Sequence, residues 1–391
     1  MTDSILVWLL VFALFYLLVT TVVLIRNRFD LTPLVLRDTD NKSGPKISVC
    51  IPARNEESTI GNLLESLITQ NRSNFDIHVL DDQSEDNTHS ILKSYKQKYP
   101  EILNIYQGKP KPEEWLGKPW ACEQLGDISD GEILVFLDAD TTLHQNALNG
   151  IAHSFDEYNL DMLTVWPRQK LLTFWEKTVI PLIYYSLVTL LPAIYVYRSP
   201  RWMPSFLRKI FDSKFAAACG QCIAFNREAY NKIGGHKSVK NEVVEDVELA
   251  KKIKKKGLTL RMFHGMGAVS CRMYENHEDL LLGLRKNFLA GFGNSIPLFT
   301  FAALMHLIVF VLPFITLITS FITGNIVLLY LSMASVTIIL LHRLILSIWF
   351  RWDPLYSFTH PVGVLWFQRL SLLKLLDYFT GRKSKWKGRD V

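Results

Sequence analysis

Cysteine is scarce in this chain: there are five in 391 residues, an odd number with no framework spacing. That excludes a disulfide-built scaffold and points to a reducing, cytosolic-side catalytic domain. Internal repeats and low-complexity tracts are also missing, so a solenoid is not expected. No recognisable nucleic-acid module appears. The net charge of +6 is modest and collects in short basic runs beside apolar ones, which suits anionic lipid head groups rather than nucleic acid. Apolar residues are what the chain has in excess. Hydrophobic side chains make up 49% and mean hydropathy is positive at +0.14, more than one soluble domain of this length normally carries, so membrane segments are expected.

The first of these runs from Ile5 to Ile25 without a charge, 21 residues, and matches the roughly 20 that a helix needs to cross the hydrocarbon core. Asp3 before it and Arg26 and Arg28 after it do not fit a cleaved signal peptide, and the two arginines place the chain beyond them in the cytoplasm. Residues 1–28 are therefore read as an anchor and 44–295 as a cytoplasmic domain. Residues 296–380 read as membrane helices and 381–391 as a basic cytoplasmic tail, in a multi-pass protein of the cell inner membrane.

Within the cytoplasmic domain the apolar pattern alternates between strands and helices. Ile47 to Ile51, Ile77 to Leu80, Ile102 to Tyr106, Ile133 to Leu137 and Met162 to Val165 read as strands. Ile60, Leu63, Leu64, Leu67 and Ile68 recur on one helical face between the first two. This order predicts an α/β fold with a mostly parallel sheet, whose ligand lies beyond the carboxyl ends of the strands. Polar residues cluster at those ends. Pro52, Ala53, Arg54 and Glu56 follow the first strand, and Asp81 and Asp82 follow the second. A carboxylate there can accept the imide N–H of uracil or hold ribose hydroxyls, while Ser84 and Asp86 read as helix caps. Gly117-Lys118 offers a point charge for a diphosphate. The run Ile133 to Leu137 stops at Asp138 and Asp140, two anionic oxygen donors suited to Mg²⁺ or Mn²⁺ beside a diphosphate; alone, the pair could equally be solvated turn aspartates.

Taken in order, Pro52 to Glu57, Asp81-Asp82-Gln83-Ser84, Gly117-Lys118, Asp138-Ala139-Asp140 and Glu245-Asp246 resemble the motifs of the family 2 glycosyltransferases, over roughly residues 46 to 295. The resemblance implies a nucleotide-diphospho-sugar transferase-like (GT-A) fold and inverting transfer from a nucleotide sugar. Gly-Lys and the flanking membrane segments bring it near the lipid-glycosylating branch, similar to ceramide, hopanoid and carotenoid glycosyltransferases. By position it implies Asp81, Asp82 and Asp138 on the nucleotide, Asp140 on the metal and Asp246 as general base, with Gly220, Gln221 and Glu245 on the acceptor side. Processive synthases of this family carry Gln-x-x-Arg-Trp after the base. Here the region reads Gly283-Leu284-Arg285-Lys286-Asn287-Phe288, which speaks against a polymer product and reads as an interfacial helix.

The remaining features have plainer readings. Cys219 and Cys222 share a C-x-x-C spacing without a second pair, so they read as small buried strand residues, and His236 reads as a loop residue. Val179 to Tyr197 is uncharged but carries Pro181 and Pro192, and reads as interfacial or re-entrant, because a single crossing would separate Asp140 from Asp246. Leu298 to Ile322 and Ile326 to Leu341 read as two crossings joined at Gly324-Asn325, the second returning toward His342 and Arg343. Val362 to Phe379 reads as interfacial or re-entrant. The expected activity is transfer of a sugar, from a UDP-sugar, to a hydroxyl of a carotenoid, hopanoid, sphingolipid or glycerolipid at the cytoplasmic leaflet. A polysaccharide synthase and a non-catalytic membrane scaffold are the rival readings.

Overall fold

The computed structural model describes residues 2–38, 44–381, 385–386 and 389–390; the rest of the expected basic tail lies outside the described residues. The chain opens with α1 (Thr2–Asp30). Strands and helices then alternate as β1 (Ile47–Ala53), α2 (Ile60–Ile68), β2 (Phe75–Asp81), α3 (Thr88–Lys98), β3 (Leu103–Gln107), α4 (Gly117–Ile128) and β4 (Ile133–Leu137). There follow β5 (Thr141–Leu143), α5 (Ala147–Tyr158), β6 (Met162–Trp166), β7 (Arg168–Gln169), α6 (Phe174–Leu190) and the short helices α7 (Ile194–Tyr197) and α8 (Ser205–Phe211). Next come β8 (Cys222–Asn226), α9 (Arg227–Ile233), α10 (Glu245–Lys255), β9 (Leu260–His264) and β10 (Val269–Cys271). The chain then runs through α11 (His277–Asn287), α12 (Ile296–Phe310), α13 (Leu312–Thr323), α14 (Ile326–Trp349) and α15 (His360–Thr380). It separates into two compact units. Residues 30–170 and 193–273 form the sheet unit, and residues 1–29, 171–192 and 274–391 form the helical unit.

The sheet unit is built on seven strands in the order β3-β2-β1-β4-β8-β6-β9. All neighbours run parallel except β8, which is antiparallel to both β4 and β6. The five strands read from periodicity are all present, because continuous apolar runs such as Ile133 to Leu137 are buried along their whole length between helical layers. On α2 the buried residues Ile60, Leu63, Leu64 and Leu67 occupy one face, and burial of each contributes about 1.5–3 kcal/mol. Of the two cysteines read as strand residues only Cys222 lies in a strand, where β8 begins; Cys219 precedes it, and Gly220 and Gln221 form the turn between them. A small second sheet, β5-β10-β7, brings Cys271 close to Asp140.

In the helical unit, among the described residues, three helices are long and apolar enough to cross a membrane: Asp3–Asp30, Ile296–Thr323 and Ile326–Trp349. The second is broken between α12 and α13, where Pro313 removes a backbone donor in the first turn after Val311. Gly324, at φ 69°, ends α13 in the left-handed conformation that glycine adopts without strain. α14 does not stop near His342 and Arg343 as the charge pattern predicts. It continues to Trp349, with both residues buried. α15 and α6 approach closely at Gly363, where a Cβ would lie 2.6 Å from Leu182 and 2.9 Å from the Thr178 carbonyl.

Candidate active site

Two loops at the carboxyl ends of β1 and β2 are laced together. The Arg54 Nη1 donates to the carbonyls of Asp82 and Gln83, each at 2.8 Å, and Nη2 pairs with Glu85 at 3.0 Å. The Asn55 N–H donates to Ser84 Oγ, and the Glu57 N–H to Asp86 Oδ2. Asn55 and Gln83 both hold positive φ, 51° and 59°. Each left-handed non-glycine residue costs about 1–3 kcal/mol, a strain that the cross-loop bonds offset. Asp86 accepts from the N–H of Thr88, the first residue of α3, although the cap position itself is held by Asn87, and Ser84 braces the neighbouring loop rather than capping. Asp81 is buried; its Oδ1 accepts from the Ser84 N–H and its Oδ2 lies 3.0 Å from His89 Nδ1. The Asp82 N–H donates to the Ala53 carbonyl one residue beyond Pro52, which continues the parallel ladder into the loop.

A second group gathers at the end of β4. Lys118 Nζ lies 2.7 Å from Asp138 Oδ1 and 3.1 Å from Glu245 Oε1, and donates to the Gly220 carbonyl at 3.5 Å. The Gly220 N–H donates to Asp246 Oδ2 at 2.7 Å, and the Asp138 N–H to the Gln221 carbonyl. Antiparallel β8 is what delivers Gly220 and Gln221 there, since its pairing sets Cys222 opposite Leu137. A Cβ on Gly220 would stand 3.0 Å from Lys118 Nζ and 3.4 Å from Asp246 Oδ2, so glycine is what allows lysine, carboxylate and backbone to meet. Glu245 and Asp246 occupy the first turn of α10, where the helix dipole favours negative charge.

The electrostatics set two of these carboxylates apart. Burial, reinforced by Asp138 and Glu56, pushes Asp140 up to about 7. Burial, reinforced by Glu245 and opposed by Lys118, does the same for Asp246, also to about 7. Burial works against the charge of Lys118, but Asp138 and Glu245 outweigh it and hold the ammonium well above the usual lysine range. Asp140 Oδ1 is a buried oxygen without a hydrogen-bond partner among the described residues. An orphaned carboxylate oxygen within electrostatic range of Asp138 and Glu56 fits a hard divalent cation such as Mg²⁺ or Mn²⁺.

Most of the residues read from the sequence therefore fall into two groups at one end of the sheet: Arg54, Glu56, Asp81 and Asp82 in the first, and Lys118, Asp138, Gly220, Glu245 and Asp246 in the second. The Glu56 charge acts on Asp140 and so links them. Gln221 is buried and turned from solvent: it accepts from Gln169 Nε2 at 2.9 Å and donates to Cys271 Sγ at 2.8 Å, behind Asp140. Spacing along the chain carries no sign of Gln169 or Cys271, which sit on two- and three-residue strands. Cys219 and Cys222 are free thiols, and burial raises both, Cys222 to about 12. His236 is buried, shares a 2.8 Å hydrogen bond with Tyr230 and is pushed down to about 3 by burial, a packed neutral side chain. A further cluster has no motif to announce it: Asp76, His78 and Asp130 bring ligand atoms within 4.8 Å of one another at the opposite ends of β2 and β4. There Lys46 Nζ already lies 2.7 Å from Asp76 and 2.6 Å from Asp130.

Residues 48–234 match the sequence model of Glycosyl transferase family 2. The chain carries a family 2 glycosyltransferase domain. The transferase is 26% identical, over 352 residues and 88% of each chain, to 4,4'-diaponeurosporenoate glycosyltransferase of Staphylococcus aureus. In fold it is similar to the mannosyltransferase PcManGT of Pyrobaculum calidifontis, solved in complex with GDP-Man and Mn²⁺. The TM-score is 0.55 at 14% identity, covering 97% of the transferase and 100% of that chain. The transferase thus has a GT-A-like architecture with apolar helices at both ends, as the ordered motifs implied.

Proposed function

We propose that the transferase moves a sugar with inversion from a nucleotide-sugar donor, a UDP-sugar, to a hydroxyl of a membrane lipid of carotenoid type at the cytoplasmic leaflet of the cell inner membrane. The observation that carries this reading is the convergence on Gly220 of Lys118, which holds Asp138, and Asp246, whose carboxyl is poised near neutrality. Asp246 takes the proton of the acceptor hydroxyl as its oxygen bonds to the anomeric carbon. The bond from that carbon to the diphosphate breaks, and the nucleoside diphosphate leaves with the electron pair. One carboxylate base suffices for a single displacement. Asp138, Asp81, Asp82, Arg54, Pro52, Ala53 and Glu56 are assigned to the donor, Lys118 to its diphosphate, and Gly220 and Glu245 to the acceptor side, whereas Gln221, expected there too, is bonded inward to Gln169 and Cys271. Asp140 would hold a divalent cation, which when bound supplies positive charge for the leaving diphosphate.

The diaponeurosporenoate relative supports the lipid acceptor, as do the three apolar helices; the GDP-Man and Mn²⁺ complex of the mannosyltransferase supports a nucleotide sugar with a metal. Placement of the site on one side of the membrane is supported by the chain path. It leaves the sheet unit at Lys170 and re-enters at Ala193, so Asp138 and Asp246 belong to one unit. Cysteines introduced at Asn87 and Ser213 should be labelled only once the cytoplasmic face is opened. Labelling of the two from opposite faces would overturn the single-site reading. Incubating membranes with labelled UDP-sugar or GDP-sugar and weighing the extracted lipids identifies donor and acceptor; polymeric product would favour the synthase instead.

A further inference from the structure

The helical unit buries a cation that no carboxylate among the described residues neutralises. Arg343, on α14, is 1% exposed. Its Nη2 donates to the Tyr356 carbonyl at 3.1 Å, but Nε and Nη1 are buried without a hydrogen-bond partner, and no described carboxylate pairs with it. Elsewhere in the same unit Arg285 shows the ordinary solution, with two nitrogens on Asp377 at 2.6 and 2.5 Å. His360 opens α15, is also 1% exposed, has both ring nitrogens without a partner, and lies within electrostatic range of Arg343. Tyr185 on α6 sets its ring 5.5 Å from His360, tilted by 60°, and shares a 2.8 Å hydrogen bond with His342, whose other nitrogen is 2.7 Å from Thr21. His342 is thus fully committed, while Arg343 and His360 are not. Phe310 closes one side, its ring 5.2 Å from His360.

We propose that Arg343 and His360, with the Tyr185 ring packed beside them, form a binding site for the anionic head group of a lipid, a carboxylate or phosphate whose chains lie among the apolar helices. Leaving a buried guanidinium unpaired costs several kcal/mol, and ionisable groups inside membrane bundles persist where a counter-charge or ligand meets them. Planar guanidinium donors suit carboxylate and phosphate oxygens. A lipid brings the anion in with its own apolar surface, which matches the surrounding side chains. The site stands on the helical unit alone and does not depend on the transfer chemistry assigned to Asp246.

The test uses the full chain, purified in detergent and stripped of lipid. Native mass spectrometry should show one molecule of phosphatidylglycerol or oleate retained, phosphatidylcholine not retained, and no displacement by inorganic phosphate. Arg343→Gln should weaken retention by about tenfold or more, the worth of one charge-assisted hydrogen bond, and Arg343→Lys by less. Because a variant can fail through folding, the wild-type chain is also crosslinked with a diazirine fatty acid, and the modified peptides should contain Tyr185, Arg343 or His360. Equal retention of phosphatidylcholine, displacement by inorganic phosphate, or crosslinks confined to other segments would each overturn the proposal.

Discussion

The two ends of the parallel strands carry similar residues in opposite electrostatic states. At the entry end, Asp76 and Asp130 share Lys46, and His78 lies 2.9 Å from Asp76. Burial alone would raise Asp76, but hydrogen bonds from His78, Lys46 and Ser48 overcome it and bring it down to about 2. At the exit end one lysine, Lys118, faces Asp138 and Glu245 with Asp246 close by, and Asp140 and Asp246 are driven up to about 7. A carboxylate with its counter-charge at hand is a structural tie. Carboxylates in excess of their lysine are short of positive charge, which a cation or a transferable proton supplies.

The largest effect that would test this contrast is on Asp246. Asp246→Asn should lower kcat by about 10²–10⁴, the usual worth of a general base, while UDP affinity stays within about threefold. Comparable loss of UDP binding would move Asp246 into the donor group. In the wild type, kcat should fall by about tenfold per pH unit below about 7, because the base must be deprotonated.

Next in size is Asp140→Ala, which should abolish the strengthening of UDP binding by Mn²⁺, a difference of roughly tenfold or more by calorimetric titration with and without chelator. The same residue gives a pH signature. A carboxyl whose folded pKa is raised binds more protons in the folded state, so its contribution to stability falls as pH climbs from about 4 to about 7. Mn²⁺ should therefore raise Tm more at pH 8 than at pH 6, and a pH-independent shift would argue against Asp140 as ligand.

Gly220→Ala should be smaller still. The added Cβ presses on Lys118 Nζ and Asp246 Oδ2, so kcat should drop by about tenfold with Tm shifted by only a few degrees. Smallest is Lys46→Met at the entry end. Lys46 is one-third exposed, so screening limits the loss to about 1 kcal/mol by denaturant titration, with kcat unchanged. Loss of activity there would mean the two ends are not independent.

Much of the fold was legible because its signals are local. Ile133 to Leu137 followed by Asp138 needs only a buried strand and the carboxyl-end rule to place a carboxylate at the ligand crevice. The bond between Gly220 and Asp246 was not legible, since it joins residues 26 apart through an antiparallel strand whose direction no spacing records.

Local sequence was enough to determine the order of strands and helices, the apolar helices and the set of carboxylates at strand ends, because periodicity, run length and turn chemistry act over a few residues. Tertiary structure alone decided which carboxylates share a lysine, that Asp140 keeps an unpartnered buried oxygen, and that α14 carries Arg343 inward rather than ending before it. Protonation and pairing depend on distance and burial in three dimensions, and charges as far apart in the chain as Lys118 and Glu245 meet only after the sheet has closed around them.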